Sequence, residues 1–235
     1  MKIIKIAMAL LAVLVACSPR LSRYTVSFWG SFDTMTQIVG YAPSPEEFTL
    51  RTDAAIDRFS ELGQIYDRFH ETRGQTNLAS LNRAAGRGAR RVPAELVELL
   101  EYALWAKTLT NGVVDLQLGP VTELWRREIA AAQHAEGQPP DREALRRAAQ
   151  AGASGALLLD AKKQTAELTD AAMLLDVGAI AKGYATELLA RELEQAGLLC
   201  FAVSSGGNIR AHGAPPGTAG WRIGIQNPDE ALLGE

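Results

Sequence analysis

Residues 174–184 read LLDVGAIAKGY: an apolar run that closes on Asp176, a glycine-containing turn, and a helix carrying Lys182 in its second turn. A buried strand that feeds a helix through a short turn leaves free backbone N–H groups and the positive helix terminus facing one spot, and a lysine there adds a full charge. The arrangement suits a phosphorylated ligand, with Asp176 placed to orient a ligand hydroxyl or ring N–H. The same residues also describe an ordinary capped turn with an exposed lysine. They are not a Walker P-loop, because the four-residue spacing and the Lys-Ser/Thr pair are absent.

Downstream, the helix runs over 180–196 and stops at Gly197, and strands are expected at 199–204, 208–212 and 221–225. Between the first two lies Ser205-Gly206-Gly207-Asn208. It could let backbone approach a ligand closely, although a tight hairpin explains the same residues. Upstream, strands are expected at 156–159, 165–168 and 173–176. A polar connector and an Arg-rich helix capped by Asp141 form an exposed insertion at about 135–151. Helices are expected over 46–70, from Pro93 to a stop at Asn111-Gly112, and over 121–134. The region from Gly74 through Asn77 and Asn82 to Gly88 reads as loop, and 24–41 as strand interrupted near Gly30-Ser31. The fold class is therefore α+β, with mixed, largely antiparallel sheets and packed helices.

The composition of the 235 residues, 47% hydrophobic and 22% charged, is that of a globular protein. A net charge of −3 argues against a nucleic-acid surface. Two cysteines, Cys17 and Cys200, exclude a disulfide framework and thiolate metal sites. His70, His134 and His212 are scattered without metal-ligand spacing. No G-x-S-x-G supports a serine hydrolase. Asp115-Leu116-Gln117-Leu118-Gly119-Pro120 reads as a helix boundary, and the arginines at 87, 90, 91, 142, 146 and 147 as solvated faces. Cys200 sits in an apolar run and reads as a small buried hydrophobe.

The first residues read as an address. Lys2 and Lys5 precede an apolar run of eleven residues, 6–16, too short to span a bilayer. Its ending, Leu14-Val15-Ala16-Cys17, resembles a bacterial lipobox. The expectation is a signal peptide over 1–16, lipidation at Cys17, and a membrane lipoprotein facing the periplasm or cell exterior, with inner or outer membrane undecided. The remainder, 17–235, is expected to be one domain.

In order along the chain, Phe32-Asp33-Thr34, Asn77–Asn82 (NLASLN), Asp115–Pro120 with Trp125, Asp176–Gly183 (DVGAIAKG), Ser205–Arg210 (SGGNIR) and Trp221–Pro228 (WRIGIQNP) resemble the ApbE family of FAD:protein FMN transferases. The resemblance implies an enzyme that takes FAD and attaches its FMN half, through a phosphoester, to a threonine of a target flavoprotein, releasing AMP with the help of Mg2+. It implies acceptors among the subunits of sodium-pumping NADH:quinone reductase (Nqr) and Rnf-type complexes. By matching position, Phe32 and Val113-Val114-Asp115 would line the flavin site, Asp176 and Lys182 would contact FAD, Ser205, Gly206 and Gly207 would let backbone approach it, and the Ala179 carbonyl would be a metal ligand. The family's Met-Gly-Thr is Phe-Asp-Thr here. Family members continue through T-S-G, H-x-I-D-P-x-T-G and A-D-x-x-x-T elements, whereas this chain stops at Glu235. The resemblance thus implies an ApbE-like fold without its C-terminal strands or remaining metal ligands, with exposed sheet edges and poor solubility. A non-catalytic flavin-binding or remnant lipoprotein, a FAD pyrophosphatase, and a binder of an unrelated phosphorylated ligand are the alternatives.

Overall fold

The computed structural model describes residues 20–132, 137–225 and 227. The signal segment, Cys17 and His134 lie outside them.

Strands β1 (Ser22–Ser31) and β2 (Thr34–Ala42) form a hairpin, so the long β segment of the sequence is two strands. The break comes at Phe32-Asp33, just after the expected Gly30-Ser31, and a register shift lies between Phe28 and Ser31. Both turn residues have positive φ, 57° for Phe32 and 49° for Asp33, as a two-residue hairpin turn demands.

Helix α1 (Pro45–Tyr66) follows, with the Ser44 hydroxyl accepting from the Glu47 N–H, proline at its start and Glu46 and Glu47 in its first turn. It stops four residues before His70. There the Asp67 carboxylate accepts from the N–H groups of Phe69 and His70, at 2.6 and 3.2 Å, and draws the chain out of the helix.

The expected loop around Asn77 holds a short helix, α2 (Leu78–Arg83). Asn77 and Ser80 cap each other reciprocally, and that pair was its signature in the sequence. Next come β3 (Arg90–Arg91), α3 (Ala94–Leu109), a single 3-10 turn (Leu116–Leu118), α4 (Gly119–Ala132) and α5 (Arg142–Gln150). Helix α5 buries no residue. Strands β4 (Leu157–Asp160) and β5 (Thr165–Leu168) lead to α6 (Ala181–Gln195), β6 (Phe201–Ser205) and β7 (Asn208–His212).

The four-stranded sheet runs β1-β2-β6-β7 and the three-stranded sheet β3-β5-β4, every pair antiparallel. The mixed α+β reading therefore holds. Alternation along β2 and β6 turns Thr36, Ile38, Phe201, Val203 and Ser205 inward, where α1 and α6 pack with Phe59, Leu62, Leu189 and Leu193. Cys200 is buried at the foot of β6, and burial pushes its thiol pKa up.

Two expected strands differ. Residues 221–225 make no ladder with any described strand; Trp221 packs its ring on Tyr41 and donates to the His212 carbonyl. Residues 173–176 are extended but pair with no strand. At Leu175 a side chain stands in for a strand: buried Asn82 accepts from the Leu175 N–H at 2.8 Å and donates to the Leu175 carbonyl at 3.0 Å. The Asp176 N–H bonds to the Leu116 carbonyl at 2.8 Å. Gly119 lets this crossing happen, since a Cβ there would lie 2.1 Å from the Leu174 oxygen.

Asn82→Ala is expected to leave both Leu175 backbone groups buried without partners, a loss of about 2 to 4 kcal/mol measurable by chemical denaturation. Asp33→Gly is expected to raise stability by up to about 1 kcal/mol, because glycine adopts positive φ without the cost of a side chain.

Candidate functional site

The extended segment held by Asn82 delivers Asp176 to the start of α6. The turn 178–180 then places Lys182 as the second residue of the helix, in its first turn where the sequence suggested its second. Opposite stands the β1–β2 turn. Phe32 holds its positive φ while its ring packs on Phe59 and Tyr66, with centroids 5.3 and 6.4 Å away. A bulky aromatic in this backbone region is uncommon, and such positions gather at functional sites.

Phe32, Tyr66, Arg68, His70, Asp176 and Lys182 line one cavity of about 420 Å³. It combines aromatic faces with a cation at a helix N-terminus, a chemistry suited to a flat ring system carrying phosphate. Burial raises the pKa of the Tyr66 phenol, whose hydroxyl donates to the Glu95 carbonyl, so it stays neutral. A second cavity of about 390 Å³ is lined by Trp29, Asp33, Thr34, Met35, Gly206 and Gly207. Asp33 borders both cavities. Lys182 reaches toward the second, since a Cβ on Gly206 would lie 3.0 Å from its Nζ and 2.3 Å from the Thr34 hydroxyl.

The glycine cluster is a tight hairpin between β6 and β7, with φ of 51° at Gly206 and 92° at Gly207. Ser205 is fully buried and its hydroxyl accepts from Thr36 at 3.0 Å. The loop residues Val113, Val114 and Asp115 border neither cavity. Val113 is exposed, and Asp115 pairs with Lys107 at 2.8 Å and caps the 3-10 turn. That turn is nevertheless tied to the site through the bond between Leu116 and Asp176.

Four further residues contribute. The Thr122 hydroxyl donates to Asp176 Oδ2 at 2.6 Å. Arg68 faces both Asp176 and Glu123 at 3.5 Å. Phe69 stacks under the Arg68 guanidinium at 4.5 Å. Glu123 collects Arg126, Arg127 and Arg68; the Arg126 hydrogen bonds above all, against some burial, hold its carboxyl down at about 2. The E-x-x-R-R spacing of this helix could have shown the Glu123 pairs, while nothing in the sequence marked Arg68.

Ala179 lies exposed in the turn, where its carbonyl is the kind of oxygen donor magnesium takes. Among the described residues no group of three or more His, Cys, Asp or Glu side chains is placed to hold a metal ion.

The family model described as "ApbE family" matches residues 32–235. A FAD:protein FMN transferase of Haemophilus influenzae is 31% identical over 139 residues, 58% of this chain and 39% of that protein. One from Vibrio cholerae is 25% identical over 226 residues, covering 95% of this chain and 64% of the relative. The crystal structure of an ApbE protein from Thermotoga maritima superposes with a TM-score of 0.72 at 22% identity, over 88% of this chain and 64% of that one. The chain thus spans between 39% and 64% of the length of these relatives.

Glu123 yields a pH signature. Its value in the fold lies below the ordinary 4.5, so its contribution to stability is complete above about pH 4.5 and is withdrawn as pH falls toward about 2. Glu123→Gln is expected to lower the melting temperature near neutrality, with the gap to the wild-type chain closing through that acid window in melts at stepped pH.

Proposed function

The chain belongs to the ApbE family, and on that premise we propose that it works as a FAD:protein FMN transferase. The observation that carries the reading is the convergence of Phe32, Asp176 and Lys182, from distant parts of the sequence, on one cavity. In the reaction a threonine hydroxyl of the acceptor attacks the FMN phosphorus. An O–P bond forms, the pyrophosphate P–O bond breaks, AMP leaves and the hydroxyl proton is released. Catalysis of this kind is largely alignment and charge neutralisation.

Lys182 and the N-terminus of α6 offer positive charge to the phosphates. Asp176, its Oδ1 held by the Gly178 N–H at 2.8 Å and its Oδ2 by Thr122, is oriented to accept from a ring N–H or ribityl hydroxyl. Phe32 and Tyr66 offer aromatic faces to the flavin. Magnesium dependence is proposed on the resemblance alone, and so are acceptors among Nqr and Rnf-type subunits. Export and lipidation at Cys17 are proposed on the N-terminal sequence. Among the described residues no helix is long and apolar enough to cross a membrane.

The test is in-gel flavin fluorescence after mixing the chain with FAD, magnesium and an acceptor domain, with a threonine-to-alanine acceptor as control. A fluorescent band confined to the threonine acceptor supports the transferase. Free FMN without acceptor points to a pyrophosphatase, and flavin binding without AMP release to a non-catalytic binder. Asp176→Ala and Lys182→Ala are each expected to lower transfer at least tenfold, about 1.4 kcal/mol; unchanged turnover would remove both from the site.

A further inference from the structure

Arg68 stands just beyond the end of α1, yet its side chain is only 8% exposed. A buried guanidinium keeps its charge, so it needs fixed partners in place of water. Two carboxylates supply them: Nε faces Asp176 Oδ2, and Nη2 faces Glu123 Oε2, both at 3.5 Å. The Phe69 ring covers one face of the fork. Glu123 cannot drift away, because Arg126 at 2.7 Å and Arg127 at 3.2 Å hold it from the solvent side. The guanidinium is therefore held at Nη2 by Glu123 of α4, which leaves Nε facing Asp176.

The charge balance of the cavity gives this placement a purpose. Asp33, Asp67 and Asp176 line it against Arg68 and Lys182, while a flavin dinucleotide brings the negative charge of a pyrophosphate. The Asp67 carboxylate is already engaged by the backbone N–H groups of Phe69 and His70 at 2.6 and 3.2 Å. Asp176 pairs with Arg68, and among the described residues Lys182 has no ion pair. An uncompensated carboxylate inside the cavity would repel the incoming phosphates at short range and low dielectric.

We infer that Arg68 is a positioning residue of this site: it offsets the charge of Asp176 and fixes its orientation, so that a phosphorylated flavin nucleotide can enter and Lys182 is left for its phosphates. The inference rests on the flavin reading of the cavity.

The test is a double-mutant cycle on the full chain, with FAD affinity read by quenching of flavin fluorescence for wild type, Arg68→Gln, Asp176→Asn and the double variant. Arg68→Gln is expected to weaken FAD binding about tenfold. In the Asp176→Asn background it is expected to cost less than twofold, because a neutral amide no longer needs the cation. Arg68→Lys, which keeps the charge without the planar fork, should recover part of the loss. If Arg68→Gln fails to melt cooperatively, the same cycle is run with Arg68→Lys. Wild-type affinity in the Arg68 variant, or an equal loss in both backgrounds, would overturn the inference, the second result meaning that Arg68 acts independently of Asp176. Absence of FAD binding by the wild-type chain is a different failure, because it removes the flavin reading itself.

Discussion

The side-chain amide of Asn82 stands where a neighbouring strand would otherwise be. It offers Leu175 one acceptor and one donor in the pattern of a β-ladder, and so lets this fully buried residue sit away from any strand with both its backbone groups satisfied. Asp176, the turn after it and the first residues of α6 inherit their positions from that pairing. On the other side the segment is tied to the 3-10 turn through Leu116, and Gly119 is small enough to let α4 begin against it. A side chain from α2, a carbonyl from the turn before α4 and the segment leading to α6 thus meet within three residues.

What gathers around this junction is a set of chain reversals. The β1–β2 turn carries Phe32 and Asp33, the β6–β7 turn carries Gly206 and Gly207, and α6 begins between them with Lys182. Turns can crowd together because they leave few side chains in the way, and helix starts leave donors unspent. Phe32 and Asp33 hold backbone conformations that glycine would adopt more cheaply. The aromatic contacts of Phe32 with Phe59 and Tyr66 offset that cost and keep the ring at the cavity wall.

The fold was legible where periodicity or capping spoke locally. The apolar spacing from Ile180 onward marked α6 almost to the residue, and the strand expected at 199–204 is β6 at 201–205. The sequence misled where a side chain replaced backbone pairing. Asn82 made a strand-like stretch into an isolated extended segment, and Asp67 ended α1 before its apolar pattern did. Of the site, Asp176, Lys182 and Phe32 could be read from motif positions. Arg68 and Thr122 could not, because their significance comes from meeting Asp176, which lies 54 positions beyond Thr122 and farther still from Arg68.

Cys200 occupies the base of β6, where its own carbonyl accepts from the Tyr41 N–H at 2.9 Å. Its sulfur is shielded and its thiol is disfavoured from ionising, so a thiol-directed reagent must wait for this part of the sheet to part from β2. The rate of labelling therefore measures how often the sheet opens beneath the hairpin that flanks Lys182. With Cys17→Ser removing the second thiol of the sequence, Cys200 is a clock for local breathing.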